Sequence, residues 1–137
     1  MSTLSVGTVK SVSTAAPVFQ NSSGTEIGEL IKAWVHFDGY NNTIDASFNI
    51  SSVTDNGTGD YTFNFTSAFA DANYAWSGTG STAGSTRSTM RAVGFFSTNS
   101  TNSNNAQLAG STRVVTVLAS DGMNEYDTDH LMIHWTR

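Results

Sequence analysis

The sequence predicts an all-β fold: a β-sandwich of jelly-roll type, preceded by an extended N-terminal arm and assembled as a trimer. Apolar and polar residues alternate in several runs, as they do when successive strand side chains face opposite ways. The segments between these runs are rich in Gly, Ser, Thr and Asn, which is typical of turns. No run has the spacing of an amphipathic helix, and about seven or eight short strands joined by such loops indicate a sandwich.

Residues 1–28 are predicted to form the arm, and residues 29–137 the sandwich. Apolar residues in the arm are scattered among Ser, Thr and Gly, too sparsely for a self-sufficient strand pair or an amphipathic helix. A tail that stays in solvent would contain few apolar residues. Because this arm contains several, we interpret it as an attachment segment that becomes ordered on binding. The alternative is a frayed terminus.

Residues 30–38 are predicted to form a strand that is apolar on both faces. Its odd positions are apolar, and its even positions include Trp34 and His36. Residues 89–96 show the same property. Strands with bulk on both faces are covered on both faces, so we expect a closed oligomer with Trp34 and Phe95 at its subunit contacts.

Residues 44–66 are predicted to form the central β-hairpin. Between its two alternating runs lies D-N-G-T-G-D, in which Asn-Gly favours a turn and Gly59 adds a second permissive position. We therefore expect a loop longer than two residues. The apolar positions of the two runs are Ile44, Ala46, Phe48, Ile50, Tyr61, Phe63 and Phe65.

The remaining segments alternate between strands and loops. They are a turn and short strand at 68–77, a flexible loop at 78–88, the strand at 89–96, an exposed polar loop at 97–105, a buried strand at 112–119, an acidic turn region at 120–129, and a closing strand at 130–137 with Leu131, Ile133 and Trp135 on one face.

Three stretches of the chain share a resemblance. AWVHFDG at 33–39, SFNISSVTDNGTGDYTFNF at 47–65 and DANYAW at 71–76 resemble a module of tail-fibre and other structural proteins of tailed bacteriophages, particularly those infecting cyanobacteria. The resemblance implies a trimeric virion protein without enzyme activity, assembled in the host cytoplasm. In that setting the arm is expected to dock on tail or baseplate proteins.

The loops at 78–88 and 97–105 lie outside the resemblance. Long loops on a rigid β-scaffold often carry binding residues, so we expect them to contact a glycan of the host cell surface. The alternative is that they are only solvated connections. The candidate receptor-binding residues are Trp76, Arg87, Arg91, Asn99, Asn102 and Asn104.

Two other functions remain open from the sequence. A free-standing carbohydrate-binding module would use Tyr40, Tyr74 or Trp76 as stacking platforms. A capsid decoration protein would use the same arm to attach to the head of the particle instead of the tail.

Composition argues against several partners. The net charge of −5, with six Lys and Arg residues, disfavours nucleic acid. The chain has no cysteine, and thiol chemistry is therefore excluded. No apolar run is long enough to insert into a membrane, and the N-terminus has no apolar core of a signal peptide. We expect no cofactor and no catalytic residues, since no known catalytic motif occurs.

Two parts of the sequence contain side chains that can bind metal ions. His36, His130 and His134 could meet a metal near a three-fold axis, but polar or interface histidines are the favoured interpretation. The segment Asp121–Asp129 offers oxygen ligands without the register of a calcium loop, so a solvated turn is favoured. The sequence thus predicts no metal site.

Overall fold

The structure of the protein is a computed structural model and describes residues 5–10, 17–28, 30–81, 92–94, 106–118, 122 and 124–137. Those residues form strands and turns without a helix, which confirms the all-β prediction. Accordingly, none of them belongs to a helix long and apolar enough to cross a membrane. In chain order the strands are β1 (Phe19–Gln20), β2 (Glu26–Gly28), β3 (Ile31–Asp38), β4 (Thr43–Phe48), β5 (Ile50–Gly57), β6 (Asp60–Phe65), β7 (Ala75–Ser81), β8 (Ala92–Gly94), β9 (Gln107–Leu108), β10 (Ser111–Leu118), β11 (Asn124–Glu125) and β12 (His130–Thr136).

The chain divides into two compact units, Met1–Leu30 and Ile31–Arg137. In the first, β1 and β2 pair antiparallel. The side chain of Asn21 closes the turn between them by accepting a hydrogen bond of 2.9 Å from the backbone N–H of Thr25. Residues 1–28, predicted to be an extended arm, therefore contain one short strand pair, which a local side-chain hydrogen bond supports despite its low apolar content.

The second unit contains two antiparallel sheets packed face to face. One has the order β4-β3-β12-β7, and the other the order β11-β10-β6-β5, with β8 and β9 also paired to β10. Aromatic side chains fill the space between them, as where Phe37 meets the edge of Tyr61 at 5.0 Å between ring centroids. This layering is that of a β-sandwich. Its core residues are Ala33, Val35, Phe37, Tyr61, Phe63, Phe65, Phe69, Tyr74, Val114, Leu131, Ile133 and Trp135.

Three long strands lie where the sequence predicts them. Every second side chain is buried in β12 and, from Ala33 onward, in β3. In β10 five side chains are buried, those of Thr112 and residues 114–117. The alternation in β12 places Leu131, Ile133 and Trp135 in the core, as expected.

The central hairpin is shorter than predicted, and this is a correction. Asn49 has a left-handed backbone, with φ of 60°, and it ends β4 in one sheet before β5 begins in the other. Only β5 and β6 form the hairpin. Its register pairs Gly57 with Asp60, so two residues connect the strands rather than a longer loop. A bulge between Asp55 and Gly57 absorbs the extra residue.

The segment between β7 and β9 is described only in part. Residues 78–81, predicted to be loop, belong to β7, because they pair with β12. Ala92–Gly94 forms β8 within the strand predicted at 89–96. The predicted loop at 97–105 lies outside the described residues, as do residues 82–91.

Candidate functional site

The most distinctive surface is the side of the β4-β3-β12-β7 sheet that points away from the core, called here the outer face. Strand alternation places on it the side chains that lie between the buried positions of β3 and β12. The strand register aligns them in two rows across the sheet. One row is Phe48, Trp34, His134 and Ser77, and the next is Ala46, His36, Met132 and Thr79.

Large apolar side chains are exposed on the outer face. Phe48 is 55% exposed, Met132 48% and Trp34 39%. Single exposed apolar residues are ordinary on protein surfaces. These three lie on three adjacent strands, so they form one patch, and contiguous apolar patches usually mark interaction sites.

A groove of about 440 Å³ runs along the outer face beside this patch. Trp34, Met132 and His134 line it together with Thr79 and Gly78 of the edge strand β7. A Cβ atom added at Gly78 would lie 3.0 Å from Cγ1 of the core residue Ile133 and 3.1 Å from the carbonyl oxygen of Met132. The absence of a side chain at Gly78 therefore leaves room for Ile133 on the core side of the sheet.

The three histidines all lie on the outer face but do not form one cluster. His36 Nε2 lies 3.1 Å from His130 Nδ1, and 3.5 Å from Asp45 Oδ2. His134 Nε2 instead lies 3.3 Å from the hydroxyl of Ser77. His130 and His134 share one face of β12 because they alternate with its buried residues, and the strand pairing brings His36 next to His130.

The aromatic residues proposed as sugar platforms differ in exposure. Trp76 is half-buried and packs against the core, and Tyr74 is 6% exposed. The Tyr74 hydroxyl lies 2.5 Å from Thr112 Oγ1, and burial raises the pKa of Tyr74. Tyr40 is exposed in the turn that follows β3.

Most of the predicted receptor-binding residues lie outside the described part of the chain. These are Arg87, Arg91, Asn99, Asn102 and Asn104, and the predicted interface residue Phe95 lies outside it as well.

The acidic turn region contributes to the fold. Asp127 accepts hydrogen bonds from the Tyr61 hydroxyl at 2.5 Å and from the Gly59 N–H at 2.7 Å. Burial, followed by the bond to Asp127, raises the pKa of Tyr61 far above its usual range.

A second acidic residue, Asp60 of the central hairpin, also contributes to the fold. Asp60 is 5% exposed and is paired with Arg113 through both carboxylate oxygens. This pairing also raises the pKa of Arg113.

Sequence reasoning identified Trp34 but missed Phe48 and Met132 as members of the patch. Phe48 belongs to an apolar run that suggested a core face, and the only sequence signal against this was the small polar residue Asn49 after it. Met132 lies between two histidines in HLMIH, a position that alternation alone assigns to the side opposite Leu131 and Ile133.

Comparison with protein-family models, with curated proteins and with solved structures found no match. The resemblance to phage fibre modules therefore stays a prediction.

Proposed function

We propose that the protein is a non-enzymatic structural component of a phage particle, a trimeric tail fibre whose subunits associate through the outer face. The observation that carries this proposal is the exposed patch of Trp34, Phe48 and Met132 on that face. An exposed patch of this kind is stabilised when a partner removes it from water.

A second copy of the same chain is the partner that the charges favour. The two rows across the outer face contain no carboxylate and no ammonium group, although the chain has a net charge of −5. The carboxylate of Asp45 lies beside the second row, 3.5 Å from His36. Copies can therefore bring the row that contains Trp34 and Phe48 together without burying like charges. In a closed ring of copies the outer face of every subunit is covered by another subunit. The number of three subunits comes from the resemblance to phage fibres.

The rest of the proposal depends on the sequence. Residues 1–28 attach the fibre to tail or baseplate proteins, and the loops after β7 contact a host glycan. Jelly-roll connectivity also stays a prediction, and the proposed role does not depend on it.

The contact through the outer face can be tested with charged substitutions. Trp34→Asp and Phe48→Asp place a carboxylate in the patch, so both should dissociate the oligomer while the circular dichroism spectrum stays that of a folded β protein. Tyr40→Asp is a matched control, because Tyr40 is an aromatic residue 57% exposed in a turn and outside the patch. Light scattering after size exclusion gives the mass of each. An unchanged oligomer in both patch variants would refute the contact.

A further inference from the structure

The contact between His36 and His130 is built by the sheet. The two residues are 94 positions apart in the sequence, and they lie on the adjacent strands β3 and β12. Their rings are 5.3 Å apart at the centroids and tilted by 34°. Because the backbones of both strands are fixed by the ladder between them, the two imidazoles are held close together.

A carboxylate is brought to the same place by an irregularity in the neighbouring strand. The register between β3 and β4 shifts between His36 and Phe37, so that Asp45 is an extra residue on β4. Bulges of this kind redirect a side chain. As a result, Asp45 Oδ2 lies 3.5 Å from His36 Nε2.

These distances match the separations of metal ligands. Zinc binds imidazole nitrogen and carboxylate oxygen at about 2.0–2.2 Å, so two ligands of a tetrahedral site lie roughly 3.3–3.5 Å apart. The spacings at His36 are 3.1 Å to His130 and 3.5 Å to Asp45. We propose that His36, His130 and Asp45 bind a divalent transition-metal ion such as Zn²⁺, with water completing the coordination.

Binding requires one adjustment. Within the described residues, no group of three His, Asp or Glu side chains is already arranged to hold an ion. The two imidazoles are close together, and Asp45 lies near His36 alone. Since the Asp45 side chain is 45% exposed, it is free of tight packing and can rotate toward the ion.

A hydrogen bond between neutral imidazoles is the alternative explanation of the short contact. In that arrangement one ring donates and the other accepts, and no ion is involved. The two explanations differ in whether the chain takes up metal. The inference goes beyond the proposed function and does not rest on it, because all three ligands belong to one chain.

The test is a titration of the full chain with Co²⁺, a spectroscopic substitute for Zn²⁺, and with Zn²⁺ itself by calorimetry. It uses both the wild type and Trp34→Asp, so that a subunit covering the outer face cannot hide the site. We expect one ion per chain and visible Co²⁺ absorption bands. His36→Ala and His130→Ala should each weaken binding by at least about tenfold, and Asp45→Asn should weaken it less.

His134→Ala is the matched control, since His134 lies on the same face but contacts Ser77. It should leave the affinity unchanged. No uptake by either the wild type or Trp34→Asp would overturn the site, as would equal losses in the His134 and His36 variants. Unchanged affinity in Asp45→Asn would remove Asp45 from it.

Discussion

Removing the Asp127 carboxylate should destabilise the sandwich more than an ordinary surface substitution does. In Asp127→Ala the hydroxyl of Tyr61, a residue with 0% exposure, loses its acceptor at 2.5 Å and keeps only a long contact of 3.4 Å with the carbonyl oxygen of Gly39. The N–H of Gly59 loses one at 2.7 Å. An orphaned buried polar group costs about 1–3 kcal/mol. Because Asp127 is itself partly exposed, water can reach part of the vacated space, and we expect a total loss of about 2–4 kcal/mol.

Urea unfolding at neutral pH, followed by tryptophan fluorescence, measures this loss. Asp127→Asn is the matched control, because its amide oxygen can still accept one hydrogen bond and should restore part of the stability. Tyr61→Phe and the double variant complete a double-mutant cycle, in which a coupling of about 0.5–3 kcal/mol is expected for residues in contact. A loss under about 0.5 kcal/mol for Asp127→Ala, the level of a neutral surface change, would refute the reasoning.

Three further predictions concern stability. Gly59→Ala should cost about 2 kcal/mol or more, since Gly59 has φ of 67° and an added Cβ would lie 2.6 Å from a backbone nitrogen. Arg113→Ala should cost about 1–3 kcal/mol, because it leaves the carboxylate of Asp60, 5% exposed, without its guanidinium. The pKa of Tyr61 is raised in the folded state, so the stability that this group contributes is complete below pH of about 10 and falls as the pH rises further, by up to about 1.4 kcal/mol per unit. A fourth prediction is that deleting residues 1–28 leaves a folded domain, since the arm and the sandwich are separate compact units.

Each of these has a contradicting result. If Gly59→Ala unfolds at the same urea concentration as the wild type, the positive φ at Gly59 does not require glycine. If Arg113→Ala does so, the ion pair with Asp60 does not stabilise the fold. If Tyr61→Phe loses as much stability above pH of about 10 as the wild type does, the pH dependence comes from other groups. A truncated chain without a cooperative thermal transition would make residues 1–28 part of the fold.

The sequence was informative wherever alternation decided the structure. β3, β10 and β12 lie within about a residue or two of their predicted bounds, and the core face of β12 was correct. Alternation failed at Asn49, because the same pattern fits one long strand or two strands that lie in different sheets. Only the left-handed backbone of Asn49 separates these cases. Its amide also donates to the carbonyls of Lys32 and Ser67, which are distant in sequence.

The candidate site was predictable only in part, for a related reason. The outer position of Trp34 follows from alternation along β3. The contact of His36 with His130 depends instead on which strands pair and in what register, and the position of Asp45 depends on a bulge. Such contacts join residues far apart in the chain, and local patterns contain no information about them.

The mass of the intact wild-type chain in solution tests the central claim most directly. Light scattering after size exclusion at micromolar concentration should give about three times the chain mass of 14.6 kDa. A stable species of 14.6 kDa would contradict association through the outer face.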